Sequence, residues 1–163
     1  MADKIHTYKL TTLWTGNTGD GTLNYRSYER SLKVSVADKA EILCTSDTAY
    51  NSDRTKHNPE ELLLASISSC HMLWYLHLCS EAGVVVVNYA DHATATMLET
   101  SDGGGRFTEA VLHPEVFVKD ESMIVKATDL HARANELCYI AKSCNFPIRH
   151  VAKIIAVRLQ LEI

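Results

Sequence analysis

The pattern of apolar and polar positions begins with strand-like segments. Ile5–Trp14 is rich in Thr, Tyr and Leu, and Leu23–Ala37 alternates loosely between apolar and polar residues. The glycine-rich stretch Gly16–Thr22 separates them and is typical of a turn. A third short strand is predicted at Glu41–Cys44, so residues 5–45 are expected to form an antiparallel meander.

A long apolar helix is predicted next, over Pro59–Ala82. Asn58 is a good N-cap, Glu61 falls at the third helical position to complete a capping box, and Gly83 supplies a stop. Apolar residues recur at helical spacing on one stripe, formed by Leu63, Ile67, Cys70, Trp74 and Leu78. We expect this helix to be almost entirely buried, at the centre of the fold or at a dimer interface.

The second half of the chain is predicted to form two strands, a helix and a last strand. Val84–Leu98 and Phe107–Lys119 have the valine content of strands and are expected to pair as a hairpin across a glycine-rich turn. A helix is predicted within Ser122–Ser143, and strict alternation predicts a last strand at Ile154–Ile163. The predicted class is therefore α+β, in one domain spanning residues 1–163.

Composition and charge narrow the function. The 163 residues are 46% hydrophobic and carry a net charge of -4, which argues against binding to nucleic acid or to anionic membranes. The longest apolar run, around Leu62–Leu78, is interrupted by polar residues and indicates a buried helix rather than a membrane span. The first ten residues lack the apolar segment of a signal peptide, so a cytoplasmic protein is expected.

Cysteine is the residue type that carries candidate chemistry. The chain has five, at Cys44, Cys70, Cys79, Cys138 and Cys144. An odd number without a signal peptide argues against a disulfide framework, which leaves inert buried thiols or one reactive thiol with a partner. No cofactor is indicated, and no metal site is expected, because the spacing of Cys138, Cys144 and His150 matches no common site.

Cys70 and Cys138 each lie on or beside the apolar face of a predicted helix. If the two helices pack together, the thiols could close a disulfide once their Cα atoms lie within about 7 Å. Such a pair can reduce a peroxide through a sulfenic acid that the second thiol resolves. The alternative is that both cysteines are core residues. His71 points about 100° away from Cys70 on a helix, so we expect it to be a half-buried histidine rather than a partner of the thiol.

The segment "NPEELLLASISSC", which ends at Cys70, resembles the signature of the OsmC/Ohr family of osmotically inducible and organic hydroperoxide resistance proteins. The segment "ANELC", which ends at Cys138, the early "GDGTLNYRSYER" and the strand order are also similar to that family. The resemblance implies an intertwined α+β homodimer with two active sites at the subunit interface. It also implies the reduction of organic hydroperoxides, with Cys70 as peroxidatic thiol, Cys138 as resolving thiol and Glu60 as a nearby carboxylate.

The family also uses an arginine to hold the thiolate, because a carboxylate alone would raise the pKa of the thiol. Arg30 is the preferred candidate, with Arg26 and Arg54 as alternatives. Glu60 and Cys70 are ten residues apart, about 15 Å of rise on a straight helix. Either the helix breaks near residues 66–69, or Glu60 acts at the thiol of a second subunit.

The sequence departs from the family after Cys138. Tyr139 stands where the family commonly has proline, and Ala141 stands where it has serine. Cys144, six residues beyond Cys138, is an alternative resolving thiol or a bystander. These departures indicate a divergent branch of the family.

Two functions remain open at this point. The first is a cysteine-based peroxidase in oxidative stress defence, which reduces small-molecule organic hydroperoxides and is recycled by an external dithiol. The second is a non-catalytic dimer of the same fold that binds a small apolar or thiol-containing ligand.

Overall fold

The structure, a computed structural model, describes residues 3–50 and 52–157. The chain forms two units by internal contacts, one reaching to Leu62 and the other beginning at Leu63. The predicted α+β class is confirmed, whereas the prediction of a single domain stays a prediction.

A three-stranded antiparallel sheet forms the first unit, in the order β1 (Thr11–Trp14), β2 (Leu32–Ser35) and β3 (Ile42–Cys44). The predicted meander is therefore confirmed, although its strands are shorter than predicted. The glycine-rich turn is held by Asn17, whose side-chain oxygen accepts hydrogen bonds from the backbone of Gly19 and Gly21. Such Asx turns replace ladder bonds and end the pairing of strands.

Helix α1 (Pro59–Glu81) begins and ends where the sequence predicted, within one residue. The Asn58 side chain accepts from the Glu61 backbone N–H at 2.7 Å, and the Glu61 carboxylate accepts from the Asn58 N–H at 3.2 Å. These two reciprocal bonds form the predicted capping box. Beyond the helix, Gly83 has a φ of 73°, the left-handed conformation that glycine adopts without strain.

The buried stripe of α1 differs from the predicted one. Its fully buried residues are Ile67, His71, Tyr75 and Cys79, at a strict spacing of four. The predicted stripe shares only Ile67 with this set, and Cys70 and Trp74 are half-buried. The predicted stripe was wrong because burial on α1 does not follow apolar character. The buried face carries a histidine and a tyrosine.

The predicted hairpin of the second unit is confirmed in its antiparallel pairing but divides into two sheets. Its four strands are β4 (Val86–Asp91), β5 (Thr94–Glu99), β6 (Gly105–Leu112) and β7 (Pro114–Val118), with β4 paired to β7 and β5 paired to β6. The two sheets separate at His113. Its backbone N–H donates to the Asp91 carboxylate at 2.7 Å instead of to a carbonyl of a neighbouring strand. Pro114, which has no N–H to give to a ladder, then starts β7.

The second predicted helix is also divided. It consists of α2 (Ile124–Leu137) and α3 (Tyr139–Ser143), preceded by a 3₁₀ turn at Glu121–Met123. Cys138 separates the two with an extended backbone, at φ -65° and ψ 109°. The helix predicted within Ser122–Ser143 is therefore confirmed, but it ends at Leu137 and a separate short helix follows.

Two short strands complete the sheets. They are β8 (Ile148–His150), which the sequence did not predict, and β9 (Lys153–Ala156). β8 runs parallel to β6 and β9 runs parallel to β7, whereas the other strand pairs of the chain are antiparallel. Residues 158–163, the rest of the predicted last strand, lie outside the described residues.

Helix α1 contributes to two apolar clusters of the second unit. Tyr75 and Cys79 pack with Val116 of β7 and Ala134 of α2, whereas Ile67 packs with β6 and α3. By length and composition α1 could also cross a membrane. Core helices of soluble proteins pass the same test, and the buried stripe gives α1 that role here.

Candidate active site

The structure brings Cys70 and Cys138 together. Cys70 is half-buried near the middle of α1, and Cys138 is fully buried at the junction of α2 and α3. Their thiols lie close enough for Cys70 to act on the pKa of Cys138. All five cysteines are free thiols in the described residues, so this pair is present in its reduced form.

The two thiols of the pair differ in their surroundings. Burial, followed by the hydrogen bond with Cys70, raises the pKa of Cys138 to about 11. The backbone N–H of Ala141 donates to the Cys138 sulfur at 3.4 Å, which opposes that shift and makes Cys138 the N-cap of α3. Cys138 is therefore a protonated thiol at neutral pH, and Cys70 is the more accessible member.

Glu60 and Arg30 lie in the first unit. One carboxylate oxygen of Glu60 is buried and has no hydrogen-bond partner among the described residues. The guanidinium of Arg30 lies over the ring of Tyr25, at 4.1 Å, and over that of Tyr28, at 5.2 Å. These contacts are cation–π interactions, and the guanidinium also donates to the Tyr25 carbonyl at 3.4 Å. The roles predicted for both residues at the thiol site stay predictions.

The serines beside Cys70 do not break α1. The Ser69 hydroxyl donates to the Ala65 carbonyl at 2.7 Å, and the Ser68 hydroxyl donates to the Asp91 carboxylate. Both hydroxyls are thus satisfied without opening the helix. Of the two alternatives for the ten-residue gap between Glu60 and Cys70, a break near residues 66–69 is excluded.

A cluster of three histidines joins α1, α2 and β8, and the sequence did not predict it. His71 of α1 and His131 of α2 are fully buried and share a hydrogen bond of 3.0 Å, and His150 of β8 lies with its ring centre 5.6 Å and 5.7 Å from theirs. The ring of Tyr75 stacks on His131 at 3.8 Å. The expectation of a half-buried His71 was wrong; the spacing of four along α1 was the signal that could have revealed it.

Burial keeps these histidines neutral. It is the largest cause that lowers the pKa of His71 to about 4 and that of His131 to about 3. The charge of His150 lowers the pKa of both further, and that of His71 also lowers the pKa of His131. Asp91 acts in the opposite direction on His71. No group of three or more His, Cys, Asp or Glu side chains is arranged to hold a metal ion within residues 3–50 and 52–157.

The other cysteines occupy different surroundings. Cys44 and Cys79 are buried, and burial raises the pKa of both. Cys144 is half-buried and packs against the apolar cluster around Ile67. The structure gives Cys144 an apolar packing role.

The α+β fold and the pair of thiols beside its core helices are the features of a class of thiol-dependent proteins. Comparison with known families identifies the particular family within this class. The OsmC-like protein family matches residues 52–152, which is more than half of the chain and includes Cys70 and Cys138. The chain therefore belongs to the OsmC-like family. No curated protein matches the sequence significantly.

Solved structures confirm the fold. An OsmC-like protein of unknown function from Vibrio cholerae is 23% identical over 91% of this chain and 100% of its own, with a TM-score of 0.82. The organic hydroperoxide resistance protein OhrB of Bacillus subtilis is 20% identical over 91% of this chain and 98% of its own, with a TM-score of 0.62. A protein of that class from Elizabethkingia anophelis is 18% identical over 93% and 99%, with a TM-score of 0.64. These low identities fit a divergent branch.

Proposed function

We propose that this protein is a thiol-dependent peroxidase that reduces organic hydroperoxides in the cytoplasm, in oxidative stress defence. The observation that supports it best is the proximity of the Cys70 and Cys138 thiols, through which Cys70 raises the pKa of Cys138. The match to the OsmC-like family and the resistance proteins among the structural neighbours support the same class of reaction.

The reaction starts at Cys70. Its thiolate attacks the distal oxygen of the hydroperoxide, the O–O bond breaks, and the alkoxide takes a proton to leave as an alcohol. Cys70 is then a sulfenic acid. Cys138 does not compete for the peroxide, because its raised pKa keeps it protonated at neutral pH.

Resolution follows at the same place. The Cys138 sulfur attacks the Cys70 sulfur, the sulfenic S–O bond breaks, and the hydroxide leaves with the proton of Cys138 as water. The resulting disulfide is reduced by an external dithiol, which is oxidised in turn. No cofactor or metal takes part in this sequence.

We further propose that the site is completed across a homodimer. Glu60 and Cys70 lie on one unbroken helix, about 15 Å apart along its axis, so Glu60 cannot reach the thiol of its own chain. Arg30 is the proposed cation for the thiolate.

Stopped-flow oxidation with cumene hydroperoxide, followed by mass spectrometry, tests the proposal. Wild-type protein is expected to consume one equivalent and to form a Cys70–Cys138 disulfide. Cys70→Ser should lose the reaction, whereas Cys138→Ser should react once and then accumulate oxidised Cys70. Cys144→Ser is the matched control, because it removes a half-buried thiol outside the pair.

Three results would change the assignment. Equal rates for Cys70→Ser and wild type would refute the peroxidase. A disulfide between Cys70 and Cys144 would make Cys144 the resolving thiol. A wild-type protein that leaves the hydroperoxide unchanged would favour the second hypothesis, a dimer that binds a small apolar or thiol-containing ligand.

A further inference from the structure

An aromatic pair connects the two helical segments that carry the thiols. Trp74 follows Cys70 by one turn of α1, and Tyr139 directly follows Cys138. Their rings meet edge to face, with centres 5.6 Å apart and an angle of 89°. This is the preferred geometry of a stabilising aromatic contact.

Helix α3 needs such external contacts. It has five residues, far fewer than a helix requires to be stable alone. Its first turn begins at Cys138, whose sulfur accepts the Ala141 N–H and whose carbonyl accepts the Lys142 N–H. Any movement of α3 therefore moves the Cys138 sulfur. Ile140 anchors one side of α3 in the cluster around Ile67, and Tyr139 provides the contact toward Trp74.

We infer that Trp74 and Tyr139 are positioning residues that hold the Cys138 sulfur against Cys70 for resolution. The inference rests on the proposed peroxidase. Tyr139 stands at the position after the second thiol and is 68% exposed as a residue, so burial alone does not explain the aromatic residue there. The ring contact ties α3 to the turn of α1 next to Cys70.

Positioning matters because two reactions compete for the Cys70 sulfenic acid. In the first, Cys138 attacks the sulfur and water leaves, which gives the disulfide. In the second, another hydroperoxide transfers an oxygen atom to the sulfur, which gives a sulfinic acid and an alcohol. Only the first depends on where Cys138 lies, so the ratio of disulfide to sulfinic acid measures its positioning.

The test is Tyr139→Ala, oxidised with increasing cumene hydroperoxide and analysed by intact mass. We expect the ratio of disulfide to sulfinic acid to fall about 2- to 10-fold, the range that corresponds to an aromatic contact. The rate of the first oxidation of Cys70 should stay at the wild-type value. Tyr139→Phe keeps the ring and should restore the ratio.

His77→Ala is the matched control, since His77 makes the other edge-to-face contact with Trp74, at 5.8 Å, and is exposed. It should leave the ratio unchanged. The inference is overturned if Tyr139→Ala keeps the wild-type ratio, if His77→Ala lowers it equally, or if Tyr139→Phe fails to restore it. Failure of the peroxidase itself would appear differently, as wild-type Cys70 that does not react with the hydroperoxide.

Discussion

The histidine cluster makes a quantitative prediction about acid. The pKa of an imidazole in an unfolded chain is about 6.5, whereas folding lowers that of His71 to about 4 and that of His131 to about 3. As the pH falls below 6.5, the two imidazoles bind protons in the unfolded chain but not in the folded protein. The stability contributed by these two groups is complete above pH 6.5 and is lost as the pH falls toward 4 and 3.

The size of the loss follows from linkage. At pH 5 both imidazoles are still neutral in the folded protein and almost fully charged in the unfolded chain. Each then contributes a loss of about 2 kcal/mol relative to pH 7, or about 4 kcal/mol for the pair. His150, whose pKa burial also lowers, adds to the loss in the same direction.

The titration of carboxylates does not contribute to the loss of stability between pH 7 and pH 5. Hydrogen bonds from Thr55 lower the pKa of Asp53 to about 2, and the Lys153 hydrogen bond lowers that of Glu115. Lowered carboxylate pKa values remove stability only as the pH falls through the ordinary carboxylate range, near 4 and below. The interval from pH 7 to pH 5 therefore isolates the histidines.

Urea denaturation at pH 7 and pH 5, at one protein concentration, measures the effect. Wild type should lose about 4 kcal/mol of unfolding free energy, and His131→Phe, which cannot take up a proton in either state, should lose about 2 kcal/mol less. The exposed His77→Gln is the control and should lose as much as wild type. A wild-type loss below about 1 kcal/mol, or an equal loss in His131→Phe, would refute the reasoning.

Three further predictions concern the helices. Asn58→Ala should lower the free energy of unfolding by about 1 kcal/mol in urea denaturation, because it removes the side-chain cap on the Glu61 N–H. An unchanged free energy would mean that the capping box does not stabilise the protein. Gly83→Ala should lower the thermal midpoint, because alanine is strained at a φ of 73°; an unchanged midpoint would contradict this. Ala127→Leu should destabilise by about 1 to 3 kcal/mol, because Ala127 is fully buried; calorimetry would measure it, and a neutral result would indicate spare volume.

The sequence predicted the features that depend on local chemistry. The capping box at Asn58 and the stop at Gly83 fixed the ends of α1 to within one residue. The helix that carries Cys70 and the helix that ends next to Cys138 followed from their apolar spacing. Their contact was a conditional prediction, because nothing local determines how two distant helices pack.

Features that depend on tertiary contacts escaped prediction. The break at His113 requires the carboxylate of Asp91, a residue on a different strand. The burial of His71 requires His131, sixty residues away. Strand β8 has three residues, too few for a periodic pattern to show.

The position of Cys138 at a helix junction has a consequence for the whole chain. A bond from there to the middle of α1 would close a loop of about 70 residues, which includes strands β4 to β7 and helix α2. By chain entropy such a closure stabilises the folded state by about 4 kcal/mol. Each turnover would therefore alternate between a less stable reduced protein and a more stable oxidised one. Resistance to proteolysis would report how much of the population is oxidised.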